Sequence, residues 1–240
     1  MEPLVWYVLS VMFLSALVRS AFGFGESLIA VPLLIFYLPI EVTVPLSLLM
    51  SVFIAAVVVV QDKNHIQFSS AKWLIIYAIL GIPFGLLLIV YADRDFLKYV
   101  LGLIIVGYSL YSLFSKRKLE INKNHRLWLF ICGFLSGVFG GAFSANGPPL
   151  VVYGNMMNWS AKHFRATLQA YFLPVSFVAL LGFLWQGLWT WEVTRYFLYS
   201  FPVMFPAILL GRIINHRLKD EKFKQYVYIG LLLIGSLMFF

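Results

Sequence analysis

The sequence predicts an all-α membrane protein of about ten helical segments, arranged as two inverted five-segment repeats. Three observations predict it. The 240 residues are 62% apolar and only 12% charged, with a mean hydropathy of +0.89. Soluble domains are roughly 45–50% apolar and 25% charged. The apolar residues fall into ten runs, and the two halves of the chain resemble each other at a shift of 121 residues.

The runs cover about 4–18, 27–38, 42–60, 71–91, 96–114, 127–140, 148–158, 164–187, 193–214 and 223–240. Six reach the roughly 17–25 residues that span a ~30 Å hydrocarbon core. The other four form two consecutive short pairs, 4–18 with 27–38 and 127–140 with 148–158. At about 1.5 Å rise per residue, each short segment covers about 16–22 Å. These pairs read as broken or re-entrant helices over 4–38 and 127–158. The N-terminus has no basic stretch before its apolar run, so residues 4–18 read as a retained helix and not a removed signal peptide.

Charge sets the topology. If each short pair returns the chain to its starting side, fourteen basic residues fall on one side: Lys63, Lys72, Lys116, Arg117, Lys118, Lys123, Arg126, Lys162, Arg165, Arg212, Arg217, Lys219, Lys222 and Lys224. Only Arg94, Lys98 and Arg195 fall on the other. If each pair crosses once, the basic residues divide almost evenly. The bias selects the first arrangement, with basic loops in the cytoplasm and both termini outside it.

The repeat follows from local matches. FLSALVRSAF (13–22) lies over FLSGVFGGAF (134–143), and the final segments share GLIIVG (102–107) and GLLLIG (230–235). An odd number of segments per half turns the second copy upside down. The expected domains are a first transmembrane repeat over 1–114, a cytoplasmic basic linker over 115–126 containing KRKLEINKNHR, and a second repeat over 127–240. Inverted repeats with broken helices are a plan of secondary transporters, with cargo near the bilayer midplane.

Several functions are excluded. The net charge of +8 sits in loops, and no soluble stretch is long enough for a nucleic-acid-binding face. Cys132 is alone, so no cysteine pair can shuttle disulfides. The four histidines lie far apart in predicted loops with no metal-ligand spacing, and neither HExxH nor GxSxG occurs. No enzyme and no cofactor is expected. The rival reading is a non-transporting membrane scaffold or accessory subunit.

The breaks carry the chemistry. Residues 140–149, GGAFSANGPP, place Pro148 and Pro149 where a following helix begins, a position at which proline's missing N–H costs nothing. Asn146 is placed to cap that helix, and Ser144 and Gly147 offer a hydroxyl and a close backbone approach. Gly23, Gly25 and Ser27 precede the short helix of the first half in the same way. A helix start presents unpaired N–H groups and the positive dipole end, so two starts meeting make an anion site. Charged residues at membrane depth are costly and count as functional candidates. Arg19 either pairs with the anion or neutralises Glu26. Glu26 either couples protons or is a cap carboxylate. Ser47 and Ser51 share a face of the third segment; Thr167, Gln169 and Tyr171 lie on the corresponding segment of the second half and complete a candidate cavity lining.

AFGFGESLIAVPLL (21–34) and GGAFSANGPPLVVY (140–153) resemble the twin signatures of the TauE/SafE family, the sulfite-exporter-like permeases. The resemblance covers essentially the whole chain. It implies a bacterial inner-membrane transporter of small sulfur-containing anions such as sulfite, sulfoacetate or other organosulfonates, driven by an ion gradient. The positions carried over are Gly23, Gly25, Ser144, Asn146, Gly147 and Pro148. Many relatives read GxGGG at the first break. Here Gly-Phe-Gly-Glu stands instead, which favours a proton-linked role for Glu26. The partners implied are a small anion, protons and the lipid bilayer; homo-oligomerisation is left open.

Overall fold

A computed structural model describes residues 3–62, 68–114, 125–157, 161–217 and 221–239, and among these described residues there are ten α-helices. They are α1 (Pro3–Phe22), α2 (Glu26–Leu34), α3 (Ile40–Asp62), α4 (Phe68–Tyr91), α5 (Arg94–Phe114), α6 (His125–Phe143), α7 (Gly147–Met156), α8 (Ala161–Trp185), α9 (Trp191–Arg217) and α10 (Glu221–Leu237). No strand occurs among the described residues. Most of the basic linker, residues 115–124, lies outside them.

Among the described residues, seven helices are long and apolar enough to cross a membrane: α1, α3, α4, α5, α6, α8 and α9. This chain is a multi-pass membrane protein. Two lengths differ from expectation. Helices α1 and α6 have 20 and 19 residues, so the first member of each pair has a full span's length, about 28–30 Å. Only α2 and α7, with 9 and 10 residues, are half-helices. Counting apolar runs stopped too early, at Arg19 in one half and at the glycines of the other. Helix α1 continues because Arg19 finds an internal counter-ion. Helix α6 continues because its glycines meet a neighbouring helix.

Lipid tails are as apolar as leucine, so helices associate in a bilayer by close packing at small residues. Gly133, Gly137 and Gly141 form a stripe at four-residue spacing on α6, opposite Gly81 and Gly85 on α4. A Cβ on Gly133 would stand 2.9 Å from Tyr77 Cβ, and one on Gly141 would stand 2.6 Å from the Ile82 carbonyl oxygen. Helix α9 approaches α1 at Gly211, where a Cβ would lie 2.5 Å from Ser20 Cβ. Helices α5 and α10 meet at Gly102 and Gly235, with Met238 and Ile105 filling the space a side chain would need.

Each of these contacts joins one half of the chain to the other. Helix α1 packs on α9 and α6 on α4, while α3 packs on α8 and α5 on α10. Adding five to each helix number of the first half exchanges the first two pairings and returns the last two to themselves. On α5 the buried residues Leu97, Leu101, Ile105 and Tyr108 recur at helical spacing, whereas Leu103, Leu110 and Phe114 are exposed. Such outward apolar faces match acyl chains as solvent.

Candidate functional site

Helix α1 ends at Phe22 and α6 at Phe143, each followed by a three-residue break before a half-helix. The breaks share their geometry. Gly23 N–H donates to the Arg19 carbonyl at 2.6 Å, and Ser144 N–H donates to the Gly140 carbonyl at 3.0 Å. Gly23 has φ 86° and Ser144 has φ 57°, so both leave the helix through the left-handed region. Glycine enters it freely, whereas a non-glycine residue there stores strain. Gly25, at φ 99°, precedes α2 without a side-chain cap.

The breaks touch. Ser27 Oγ donates to the Ser144 carbonyl at 2.6 Å. Between them lies a small buried cavity lined by Gly25, Glu26, Ser27, Leu28, Ser144, Ala145, Asn146, Gly147 and Phe172, with room for about one water molecule. Both half-helix starts therefore open on one space. Pro148 and Pro149 are buried in the first turn of α7, and as prolines they remove two backbone donors there. The first turn of α2 has no proline and keeps all of its N–H groups. On the α7 side, the buried Ser144 Oγ and Asn146 Nδ2 have no hydrogen-bond partner. Unpaired polar groups in a membrane interior cost free energy that a ligand recovers.

Arg19 and Glu26 are the buried charged side chains among the described residues, and they form an ion pair. Arg19 Nη1 donates to Glu26 Oε1 and, at 2.9 Å, to Ser51 Oγ. Nη2 donates to the Ser51 carbonyl at 3.3 Å and to Gln169 Oε1 at 3.1 Å. The guanidinium carbon lies 4.7 Å from the centre of the Phe172 ring, within cation–π range. Of the five N–H donors only that on Nε lacks a partner. Of the two roles left open for Arg19, this conformation displays the pairing with Glu26.

Helix α8 holds both breaks. Gln169 Nε2 donates to the Gly23 carbonyl at 2.5 Å, Phe172 covers Arg19, and Ser176 Oγ lies 3.3 Å from Ser51 Oγ. These residues share one helical face. Tyr171 meets Ser136 Oγ at 2.8 Å, and that hydroxyl donates to the Asn146 carbonyl at 2.7 Å. A one-residue step along α8 thus separates the side chain holding the second break from the face holding the first.

Of the residues singled out from sequence, Gly25, Glu26, Ser27, Ser144, Asn146 and Gly147 meet at the cavity. Gly23, Arg19 and Gln169 form the adjoining network. Pro148, Ser47 and Thr167 are buried but do not line the cavity, and Ser47 Oγ has no partner. Leu28 and Phe172 in the wall, and Ser136 and Ser176 beside it, were not anticipated. The spacing from Gln169 to Phe172 and Ser176 was the available signal. The side chains of Lys162, His163 and Arg165 lie outside the described residues. No group of three or more His, Cys, Asp or Glu able to hold a metal occurs among the described residues.

The comparison halves differ in charge. At the shift of 121 residues, Gly140 stands where Arg19 stands and Gly147 where Glu26 stands. A Cβ on Gly140 would lie 2.5 Å from Asn146 Nδ2, so this glycine makes the space into which the amide turns. One break carries an ion pair and the other two neutral donors.

Compared with known proteins, the chain has no match among curated proteins and none among solved structures. Compared with protein families, residues 8–238 match the family described as Sulfite exporter TauE/SafE, whose members are membrane transporters. With the two helix breaks in matching places and a match over nearly its whole length, the chain belongs to the TauE/SafE family of sulfite-exporter-type transporters.

Proposed function

We propose that this protein moves a small sulfur-containing or organic anion, such as sulfite, sulfoacetate or another organosulfonate, across the bacterial inner membrane by alternating access. The halves are residues 1–114 and 127–240, inverted relative to each other, with the basic linker 115–126 and the other basic loops in the cytoplasm and both termini outside it. The exchange of helix pairings between halves and the shared left-handed exits at Gly23 and Ser144 support the repeat.

One observation carries the functional reading. Two half-helix starts and two unpartnered donors, Ser144 Oγ and Asn146 Nδ2, converge on one buried cavity. Dipole ends and donors without acceptors favour negative charge. The cavity admits about one water, so an oxyanion enters only when the halves separate and the Ser27 to Ser144 and Gln169 to Gly23 bonds open. Glu26, the one acidic residue among the described residues that lines this space, is the proposed site of proton coupling.

The test is a thermal-shift and binding screen of sulfite, thiosulfate, sulfoacetate, taurine and simple carboxylates on purified protein. At least one anion should raise the melting temperature. Asn146→Ala and Ser144→Ala should each weaken that anion's binding by about 10-fold or more, the worth of one hydrogen bond to a charged group. Unchanged affinity in both variants would sink the site assignment. No stabilising anion at all would favour a scaffold role.

A further inference from the structure

The ion pair at the first break is lopsided in how its partners are held. Arg19 is fixed by neutral acceptors on two other helices: both Ser51 oxygens on α3 and Gln169 Oε1 on α8. Phe172 covers its face. None of those contacts involves Glu26. The Glu26 carboxylate is bonded to Arg19 and lies 3.3 Å from the hydroxyl of its own neighbour Ser27, whose one proton the Ser144 carbonyl takes at 2.6 Å. It stands at the first residue of a half-helix and lines the cavity. Arg19 is the anchored member and Glu26 the movable one.

Charge balance then constrains what an anion can do. The empty site is neutral, with one guanidinium and one carboxylate. A monovalent anion added to it leaves one net negative charge in a medium that penalises unpaired charge heavily. An anion arriving with one proton leaves the site neutral.

Resting on the reading of the breaks as the cargo site, we propose that Glu26 is a tethered counter-anion that occupies Arg19 while the site is empty. An incoming oxyanion displaces it, and Glu26 leaves as the neutral acid. The anion takes the guanidinium N–H groups that Glu26 releases. One proton from the aqueous phase then open to the cavity goes to the freed carboxylate. Anion plus proton plus the Arg19–Glu26 pair gives an Arg19–anion pair plus protonated Glu26, and net charge is unchanged. The second half has glycine at both corresponding positions, so one break supplies the exchangeable charge and the other supplies fixed donors.

Among the described residues, the charged group facing Glu26 is Arg19. On the helices packed against α2, the other titratable side chains of note are Tyr7 on α1, Tyr108 on α5 and Tyr228 on α10. Tyr7 donates to the Leu33 carbonyl, and the rings of Tyr108 and Tyr228 pack together. Tyrosine phenols ordinarily stay protonated through the neutral range. Glu41 on α3 pairs with Arg94 at the surface.

The experiment uses methanesulfonate, a sulfonate that stays a monoanion throughout the neutral range, so that any pH effect belongs to the protein. Calorimetric titration of the purified full-length protein, in two buffers of different ionisation enthalpy, counts protons taken up per anion bound. Wild type should take up one proton per anion at alkaline pH, with affinity falling about tenfold per pH unit there. Glu26→Gln should take up none, bind independently of pH, and bind more tightly than wild type at alkaline pH. Arg19→Gln in the Glu26→Gln background should lose that binding. Wild-type binding without proton uptake, or a retained pH slope in Glu26→Gln, would overturn the proposal and leave the cargo site standing. Should Glu26→Gln fail to fold, the wild-type proton count decides alone. Absence of binding by methanesulfonate and by sulfite to wild type overturns this proposal and the cargo-site reading together.

Discussion

Replacing Glu26 by alanine leaves the Arg19 guanidinium buried with three neutral acceptors, the two Ser51 oxygens and Gln169 Oε1, and no anion. Breaking a buried pair from one side costs about 3–5 kcal/mol, because the surviving charge has neither water nor partner. Arg19→Met removes the charge together with its four donated bonds and strands the Glu26 carboxylate with the Ser27 hydroxyl 3.3 Å away; a loss of similar size is expected. In Arg19→Met/Glu26→Ala no buried charge remains. The double variant should therefore be less destabilised than the sum of the singles by about the pair's mutual attraction, about 4 kcal/mol at a charge separation of about 4 Å and an effective dielectric near 20. Unfolding in mixed micelles on titration with sodium dodecyl sulfate, followed by tryptophan fluorescence, measures all four corners of the cycle. Additivity within about 0.5 kcal/mol would refute the argument. It would mean that water reaches the pair and that burial does not govern the energetics of this break.

Two further perturbations test the scaffold around the site. Gly137→Leu on α6 places side-chain atoms against the backbone at Ala78 of α4, and overpacking at so close an approach costs about 1–3 kcal/mol or more; reduced yield of folded protein after detergent extraction is the readout, and wild-type yield would show that α4 and α6 do not meet there. Ser144→Gly should relieve the left-handed strain at φ 57° and raise stability by about 1 kcal/mol, while weakening anion binding through loss of the hydroxyl. A fall in stability would show that the Ser144 hydroxyl has a structural partner.

Much of this fold was legible because a bilayer leaves few options. An apolar run must be a helix when no water is present to satisfy its backbone, so counting runs located all ten helices. Gly23, Gly25 and the Asn-Gly-Pro-Pro sequence at 146–149 located the two breaks, since these residues stop or start helices whatever their neighbours. Helix ends were less legible. Arg19 looked like the end of a span because a charge halts an apolar run; it lies within α1 because a carboxylate seven residues later returns to meet it. The glycines at 140 and 141 looked like breakers, yet both lie within α6: Gly141 belongs to the stripe that receives α4, and Gly140 makes room for the Asn146 amide.

Sequence by itself determined the class, the helix count, the positions of the breaks and the membership of a transporter family, all of which follow from local composition and short motifs. Tertiary structure decided which residues meet. Ser27 reaches a carbonyl 117 residues away, and Gln169 reaches Gly23 across 146. Ser47, on the same predicted helix face as Ser51, is left outside the network that Ser51 joins. Periodicity gives the face of a helix but not the helix opposite it. The partner is chosen by close packing at small residues such as Gly137 and Gly211, which no hydropathy pattern records.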